Sequence, residues 1–262
     1  MLLLPGGDDM KGLIIKDLMC LRKMRATFVF VTVSSFVITV MALISARCGN
    51  IALAEQEYLT GGTDMPMSPV HVLWYAVAVL VLLPLASIGD SLTLAFEADK
   101  NAGFTGIAGA LPVSVKQRIT ARFITLFLTC GTGTVINLAL SVILSLFTDI
   151  MTFGDFAGLV MSAASLILIF SSMEMVLIFI LKMKNTDYVR IISLLIMAAA
   201  FILCSLKRII DALRDMKPTE LITDGLIFLE NRWFILAASA AVCLLVSYFV
   251  SAGIAERKRG EI

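Results

Sequence analysis

The sequence has few charged residues. They make up 16% of the 262 residues, whereas hydrophobic residues make up 59% and the mean hydropathy is +0.96. An average soluble domain has about a quarter charged residues and just under half apolar ones, so this composition indicates an integral membrane protein. The net charge of +1 lacks the basic excess that nucleic-acid binding demands, and it therefore excludes nucleic acid as a partner.

The residues that usually carry enzyme chemistry are also scarce. A single histidine, His71, cannot build a histidine-based metal centre, and no cluster of cysteines or carboxylates replaces it. The five cysteines are scattered without a CxxC pair, which is typical of small apolar packing residues. HExxH and GxSxG motifs are missing, so a membrane enzyme would have no active site. Without a GxxxxGK[ST] phosphate loop, the chain does not itself hydrolyse nucleotides.

What the sequence has in abundance is long apolar stretches. A bilayer core of about 30 Å needs about 20 apolar residues in a helix, and six stretches meet or approach that length. They are Thr27–Ala46, His71–Ala95, Phe123–Phe147, Phe156–Leu181, Val189–Leu206 and Trp233–Ala252. The sequence therefore predicts an all-α membrane protein, residues 1–262, with six transmembrane helices in a single domain.

The residues before the first stretch fall into two parts. Residues 1–9 lack the basic start and long apolar core of a signal peptide. Their codons can contain a bacterial ribosome-binding sequence, so we treat Met10 as a hypothetical translation start. Residues 10–25 then place leucine and isoleucine near one helical face beside several basic side chains, which predicts an interfacial helix on anionic lipid. The alternative is a basic flank to the first span.

The distribution of lysine and arginine sets the predicted orientation. With the N-terminus inside, the cytoplasmic segments hold fifteen basic residues and the outer segments hold six. Because cytoplasmic loops carry the excess of basic residues, both termini are predicted to be cytoplasmic. The same orientation places residues 97–122 in the cytoplasm.

The segment from Glu97 to Phe123 is the most polar part of the first half of the chain. Ser114 and Gln117 have the spacing of a capping box, and this predicts that a helix begins there. Pro112 supports this boundary. Before it, Phe104, Ile107, Ala108 and Leu111 have the spacing of one face of a short helix.

This segment resembles the loop between the second and third spans of ABC exporter permeases of the type-2 class. The residues that carry the resemblance are Glu97, Asp99, Lys100, Asn101, Phe104, Leu111, Pro112, Val113, Ser114, Lys116 and Gln117. Val115 departs from the family's commoner basic residue, and the tract before Pro112 is unusually rich in glycine. The resemblance covers roughly a tenth of the chain.

The resemblance implies a short coupling helix that docks onto a separate cytoplasmic ATPase, in a bacterial cell membrane. ATP and Mg would then be bound by that partner, with no cofactor on this chain. A second permease copy or a homologous permease is the implied dimer partner. An amphipathic peptide, an antimicrobial compound or a lipid-like molecule would be exported. The residues predicted to dock the ATPase are Asp99, Phe104, Ile107, Leu111, Ser114, Lys116 and Arg118.

Three acidic residues lie in or beside the apolar stretches: Asp90, Glu97 and Glu174. An ionisable group at membrane depth costs about 2.5–3.5 kcal/mol, so each is a candidate functional residue. All three fall in the predicted cytoplasmic half. We favour a role in a vestibule or in bonding between helices over a proton relay. Pro84 is predicted to kink the second span.

Three further predictions concern packing and the outer surface. His71, Trp74, Tyr75 and Trp233 are predicted to be anchors at the membrane interface. Small residues predict close helix contact in the third and fourth spans, namely Gly131, Gly133, Ala139, Ser162, Ala163, Ala164, Ser171 and Ser172. Residues 207–232 form an extracellular amphipathic segment in two pieces, which resembles the external half-membrane helices of the same permeases. The alternative is an interfacial helix with no gating role.

The alternative function is an ATP-independent secondary carrier, or a membrane signalling or accessory protein. A carrier would need a set of polar residues at the bilayer midplane, which this sequence mostly lacks. No internal repeat of the kind found in inverted-repeat carriers is evident either.

Overall fold

The computed structural model describes residues 7–60, 68–89, 91–103, 114–147, 152–181, 186–214, 225, 227–229 and 231–257. Over these residues the regular structure is entirely α-helical. The main helices are α1 Gly7–Cys20, α2 Arg22–Arg47, α3 Asn50–Leu59, α4 Pro69–Ala86, α5 Ser91–Asn101, α6 Val115–Ser145, α7 Phe153–Leu181, α8 Thr186–Arg214 and α9 Trp233–Arg257.

Within the described ranges, five helices are long and apolar enough to cross a membrane: Met24–Arg47 within α2, and α4, α6, α7 and α9. They coincide with five of the six predicted spans. The remaining one, Val189–Leu206, lies within α8, where many side chains fall outside the described residues, so a sixth span stays a prediction. Large apolar residues on the outer faces of these helices, such as Phe30, Val135 and Phe249, are exposed as lipid contact requires.

The second span is shorter than the sequence predicted. The expected helix His71–Ala95 was wrong in length, because α4 ends at Ala86 and a separate helix, α5, follows. Pro84 has no N–H to donate to the carbonyl of Leu80, which weakens the helix just before its end. The Ser87 hydroxyl then donates to the Pro84 carbonyl at 2.6 Å, and the chain turns through Gly89. Asp90 lies outside the described residues.

The N-terminal segment forms α1 and the start of α2, with Leu21 between them. The single helix predicted over residues 10–25 was therefore wrong in extent. Leu21 is 1% exposed and packs with Met24 and Ala95, whereas Ile15 and Met19 are exposed. One face of α1 thus packs onto α5 and α6, and the other is exposed, while its contact with lipid stays a prediction.

Helix α3 was not predicted from the sequence. Gly49 precedes it with a φ of 92°, a left-handed conformation that glycine adopts readily. Farther along α3, the Glu55 carboxylate accepts hydrogen bonds from the Ser68 hydroxyl at 2.6 Å and the Val70 N–H at 3.4 Å. Glu55 therefore caps the N-terminus of α4, where backbone donors lack helical partners. The short α3 fixes the start of the next span.

Helix α7 lies at the centre of the bundle and packs most extensively against α9. Small residues line this contact: the Ser247 hydroxyl donates to the Ser172 carbonyl at 2.6 Å, and Ser171 and Ser251 are fully buried. The predicted close packing is confirmed for the residues that are buried, namely Gly133, Ser162, Ala164, Ser171 and Ser172. It is wrong within this subunit for Gly131, which has open space around its Cα, and for the exposed Ala139.

Helix α8 continues past Leu206 to Arg214 without a break. The first piece of the predicted amphipathic segment 207–232 is therefore the end of α8, not a separate element. Of the second piece, residues 227–229 are helical, and the Ser162 hydroxyl of α7 donates to the Leu229 carbonyl. This bond ties the segment to the central helix.

Gly133 allows α4 and α6 to approach, which gives a first testable prediction. A Cβ at this position would overlap Cδ1 of Ile88 and lie 3.6 Å from Cδ2 of Leu85. Only the end of the Ile88 side chain must shift, so Gly133→Ala is expected to be less stable than Gly131→Ala by about 1 kcal/mol, measured by thermal unfolding in detergent. The matched control is Gly131→Ala on the same helix, which meets no atom within 4 Å. Equal stability of the two variants would contradict this account of the contact.

Candidate functional site

The predicted site residues lie mainly where α5 ends and α6 begins. Asp99 and Glu97 are on α5, Ser114 precedes α6, and Lys116 and Arg118 are in its first turn. Phe104, Ile107 and Leu111 lie outside the described residues, as Asp90 does. The structure therefore describes both ends of the predicted docking segment.

The start of α6 has the predicted capping box. The Ser114 hydroxyl accepts from the Gln117 N–H at 3.2 Å, and the Gln117 side chain accepts from the Ser114 N–H at 2.9 Å. Each bond satisfies a backbone donor that has no partner within the helix. The prediction that a helix begins here is confirmed, and α6 then runs without interruption to Ser145.

Four charged residues from three helices meet beside this start. We call Lys16, Asp17, Asp99 and Arg122 the charge cluster. Lys16 Nζ donates to both carboxylate oxygens of Asp99, at 2.8 and 3.0 Å, and lies 3.0 Å from Asp17 Oδ1. Arg122 donates through Nη2 to Asp99, and its Nε is 3.4 Å from Asp17 Oδ2. Two cations and two carboxylates thus balance each other.

Three of the four residues of the charge cluster are buried, and Lys16 is partly exposed. Asp17, Asp99 and Arg122 are 2%, 6% and 8% exposed, so water screens these charges little. A buried ionic group of this kind is tolerated only while its partners remain, because the desolvation of each ion must be offset by the others. The cluster therefore requires α1, α5 and α6 to be present together.

An aromatic ring extends the cluster towards the centre of the bundle. The guanidinium of Arg122 lies over the ring of Phe96, 4.5 Å from its centroid. A cation in this position is attracted to the negative face of the ring. Phe96 in turn meets Phe179 of α7 edge-on, with centroids 6.4 Å apart. A movement of Arg122 would consequently displace Phe96 and, through Phe179, α7.

The charge cluster joins the two flanks of residues 104–113. Asp99 lies on α5 shortly before this segment, and Arg122 lies on α6 shortly after it. The docking role predicted for Asp99 stays a prediction, but its carboxylate is bonded to Lys16 and Arg122. Sequence reasoning missed Lys16, Asp17 and Arg122 as site residues. The only local signal was Asp17, an acidic residue within a basic, apolar helix.

A second set of contacts joins α6 to α9 on the surface. Lys116 Nζ is 2.8 Å from Glu256 Oε1, with both side chains more than half exposed. The Thr120 and Tyr248 hydroxyls are 3.1 Å apart, and Tyr248 packs edge-on against Phe123. Exposed ion pairs contribute little to stability, so this pair leaves Lys116 able to exchange partners.

Arg118 and Glu174 have buried polar atoms near the same end. Arg118 Nε is buried and makes no hydrogen bond within the described part of the chain. Glu174, on α7, is 1% exposed, and the Thr93 hydroxyl of α5 donates to its carboxylate at 3.4 Å. Glu97 is half-buried on α5. Glu174 therefore ties α5 to α7, while the pathway role predicted for it stays a prediction.

The five apolar helices define the class of this molecule as a multi-pass α-helical membrane protein. A family model described as ABC-2 family transporter protein matches residues 64–256, which is most of the chain. The chain belongs to the ABC-2 transporter family and is a permease of that type. No curated protein and no solved structure gives a significant match.

The family match begins after α3, so α1 and α2 precede it. Asp99 and Arg122 lie inside the matched region, whereas Lys16 and Asp17 lie before it. Half of the charge cluster is therefore supplied from outside that region.

Proposed function

We propose that this permease is the membrane subunit of an ATP-driven exporter that works with separate cytoplasmic ATPase subunits. It has six spans and two cytoplasmic termini in a bacterial cell membrane, and it pairs with a second copy or a homologous permease. ATP and Mg²⁺ bind the ATPase, and this chain performs no catalysis. The substrate is amphipathic.

A single observation supports coupling through residues 104–113: the charge cluster joins both flanks of that segment to each other and to α1. A segment that receives force can transmit it to the transmembrane helices only if its two flanking helices do not separate under that force. Asp99 and Arg122 provide that support, since the pair is buried and shared by α5 and α6. We accordingly assign Asp99 to the support, and Ser114 and Lys116 to the exposed margin beside the docked surface. Arg118 lies next to this margin and is partly buried.

The contacts around the charge cluster define a route for this movement. Closure of the ATPases pushes on residues 104–113, and α1, α5 and α6 move as one body because the cluster connects them. Phe96 and Thr93 of α5 contact Phe179 and Glu174 of α7, so α7 follows. Helix α9 is packed closely along α7 and moves with it. The step is mechanical, and it changes which side of the membrane the pathway faces.

The proposal is tested by searching the neighbouring genes for an ATPase that has a GxxxxGK[ST] phosphate loop, and by co-expressing that ATPase with this chain. We expect the ATPase to remain bound through affinity purification in mild detergent, and its hydrolysis rate to rise in the complex. Permease-dependent export driven by an ion gradient, with no ATPase bound and none required, would instead establish the secondary carrier.

Replacing Glu174 with leucine is expected to separate stability from transport. The variant should unfold at the same temperature or higher, because an ionisable group at this depth costs about 2.5–3.5 kcal/mol. ATP-dependent transport should fall about tenfold or more, since the bond from Thr93 of α5 is lost. Glu174→Gln is the matched control, because its amide oxygen still accepts from Thr93. If Glu174→Leu transports as well as wild type, the contact between Thr93 and Glu174 does not transmit movement from α5 to α7.

A further inference from the structure

A small cavity lies between α2, α4 and α6, well away from the charge cluster. Its polar lining comes from Thr32, Ser35 and Thr39 on α2 and from Asn137 and Ser141 on α6. All five are at least nine-tenths buried. The cavity has room for about one water molecule, which is also the size of a single hydroxyl group.

Most hydroxyl hydrogens in the lining are already used. Thr32 donates to the Phe28 carbonyl at 2.7 Å, Thr39 to the Ser35 carbonyl at 2.7 Å, and Ser141 to the Asn137 carbonyl at 2.8 Å. Each oxygen keeps a lone pair for a further donor. The amide nitrogen of Asn137 likewise donates to the Gly133 carbonyl at 2.8 Å, which leaves its oxygen as an acceptor.

Pro84 adds an acceptor of a different origin. It lines the cavity together with Leu80, four residues before it. Because proline has no N–H, the Leu80 carbonyl loses its ordinary helical donor. The cavity lining therefore contains acceptors from the backbone, at Leu80, and from the polar side chains of α2 and α6.

Ser35 supplies the complementary donor. It is 4% exposed, lines the cavity, and its hydroxyl makes no hydrogen bond within the residues that the structure describes. The site therefore offers the Ser35 hydroxyl and the second N–H of Asn137 as donors beside several acceptors, and none of the described residues that line it is charged. An ammonium or carboxylate group would be buried there without a counter-charge, at high cost. An alcohol both donates and accepts, and it is neutral.

The rest of the lining is apolar. Phe36, Val81 and Leu140 line the same cavity, and exposed apolar residues such as Val33 and Ile136 are near them in sequence. Such residues face lipid in a membrane helix. A ligand could thus place its hydroxyl among the polar side chains and leave its hydrocarbon chain in the lipid.

From this arrangement we propose that the cavity between α2, α4 and α6 binds the hydroxyl head of a neutral amphiphile that enters from the bilayer. Ser35 donates to the ligand oxygen, and the ligand hydroxyl donates to the acceptors opposite. The inference does not depend on the direction of transport or on an ATPase.

The test uses a photoreactive long-chain alcohol with the purified protein in phosphatidylcholine nanodiscs. Mass spectrometry of the cross-linked peptides should place the label on α2, α4 and α6. The methyl ether of the same probe cannot donate, and we expect it to label roughly five- to tenfold less, which is the effect of one net hydrogen bond of about 1 kcal/mol or slightly more. Ser35→Ala should lower alcohol labelling by a similar factor.

Thr132→Ala is the control, because it removes a hydroxyl on α6 that is exposed, donates to the Leu128 carbonyl of its own helix and lies outside the cavity. It should label like wild type. Should Ser35→Ala fold poorly, Ser141→Ala and the ether comparison on wild type decide the question. Equal labelling by alcohol and ether, or labelling elsewhere, would overturn the proposal and leave the cavity to water.

Competition distinguishes two sources of the ligand. A monoacylglycerol that competes better than a diacylglycerol would indicate a single-chain molecule such as a transported substrate. The reverse order would indicate a resident bilayer lipid. Either result supports the hydroxyl site, whereas competition by neither contradicts it.

Discussion

Replacing Arg122 with methionine is expected to lower the free energy of unfolding by roughly 3–5 kcal/mol, the usual effect of removing one partner from a buried ionic group. The substitution leaves the carboxylates of Asp17 and Asp99 buried with only Lys16 between them. Lys16 already contacts both acids through one partly exposed ammonium, so it cannot also supply the charge and the donors of the lost guanidinium. Thermal unfolding in detergent measures the loss, and faster hydrogen exchange over α1 should accompany it.

Two further variants show whether the charge itself is responsible. Arg122→Met combined with Asp99→Asn removes one charge of each sign and leaves the Lys16–Asp17 pair, so part of the lost stability should return. Arg25→Met is the control, because Arg25 is exposed and donates to the Leu18 carbonyl alone. If Arg122→Met unfolds at the same temperature as Arg25→Met, the charge cluster does not hold these helices together.

The parts of the fold that sequence reasoning predicted well depend on local patterns. Apolar stretches predicted the helices that can cross a membrane, because burial in lipid acts on about 20 consecutive residues. The capping box at Ser114 and Gln117 was predicted because its two partners are three residues apart. The small residues of α7 pointed correctly to its close packing, although not to α9 as the main partner.

The charge cluster could not be predicted in this way. Lys16 and Asp99 are 83 positions apart, and no local spacing relates them. Their partnership depends on how α1 folds back onto α5, which is a property of the tertiary structure. The end of α4 shortly after Pro84 was missed for a related reason. A proline in a membrane helix is often accommodated as a kink, but here the turn at Ser87 ends the helix.

The position of α1 changes how the N-terminal segment is interpreted. The sequence predicted an interfacial helix that lies on anionic lipid. In the structure, α1 packs on α6 and contributes a cation and a carboxylate to a buried site. Because Lys16 and Asp17 precede the family match, α1 is a further support for an element that lies within it. In the proposed mechanism, force on residues 104–113 would therefore act on three helices instead of two.

Replacing both Phe104 and Leu111 with aspartate is expected to abolish binding of the partner ATPase. The predicted short helix presents both residues on one face, and each buried apolar anchor is worth about 1.5–3 kcal/mol. Losing two anchors should weaken binding by at least about a hundredfold. Affinity purification with the ATPase measures the loss, and stimulation of ATP hydrolysis should disappear with it. Helix insertion should be unaffected, because the flanks remain joined through Asp99 and Arg122.

A matched pair of substitutions lies on the side predicted to face outward. Leu53 and Leu59 of α3 are 64% and 75% exposed, so Leu53→Asp with Leu59→Asp adds the same charge where no ATPase can bind. This control should retain the complex and its stimulated hydrolysis. If the Phe104 and Leu111 variant also retains both, the ATPase docks elsewhere. The exposed margin at Ser114 and Lys116 would then be the next surface to alter, and the charge cluster would have a purely structural role.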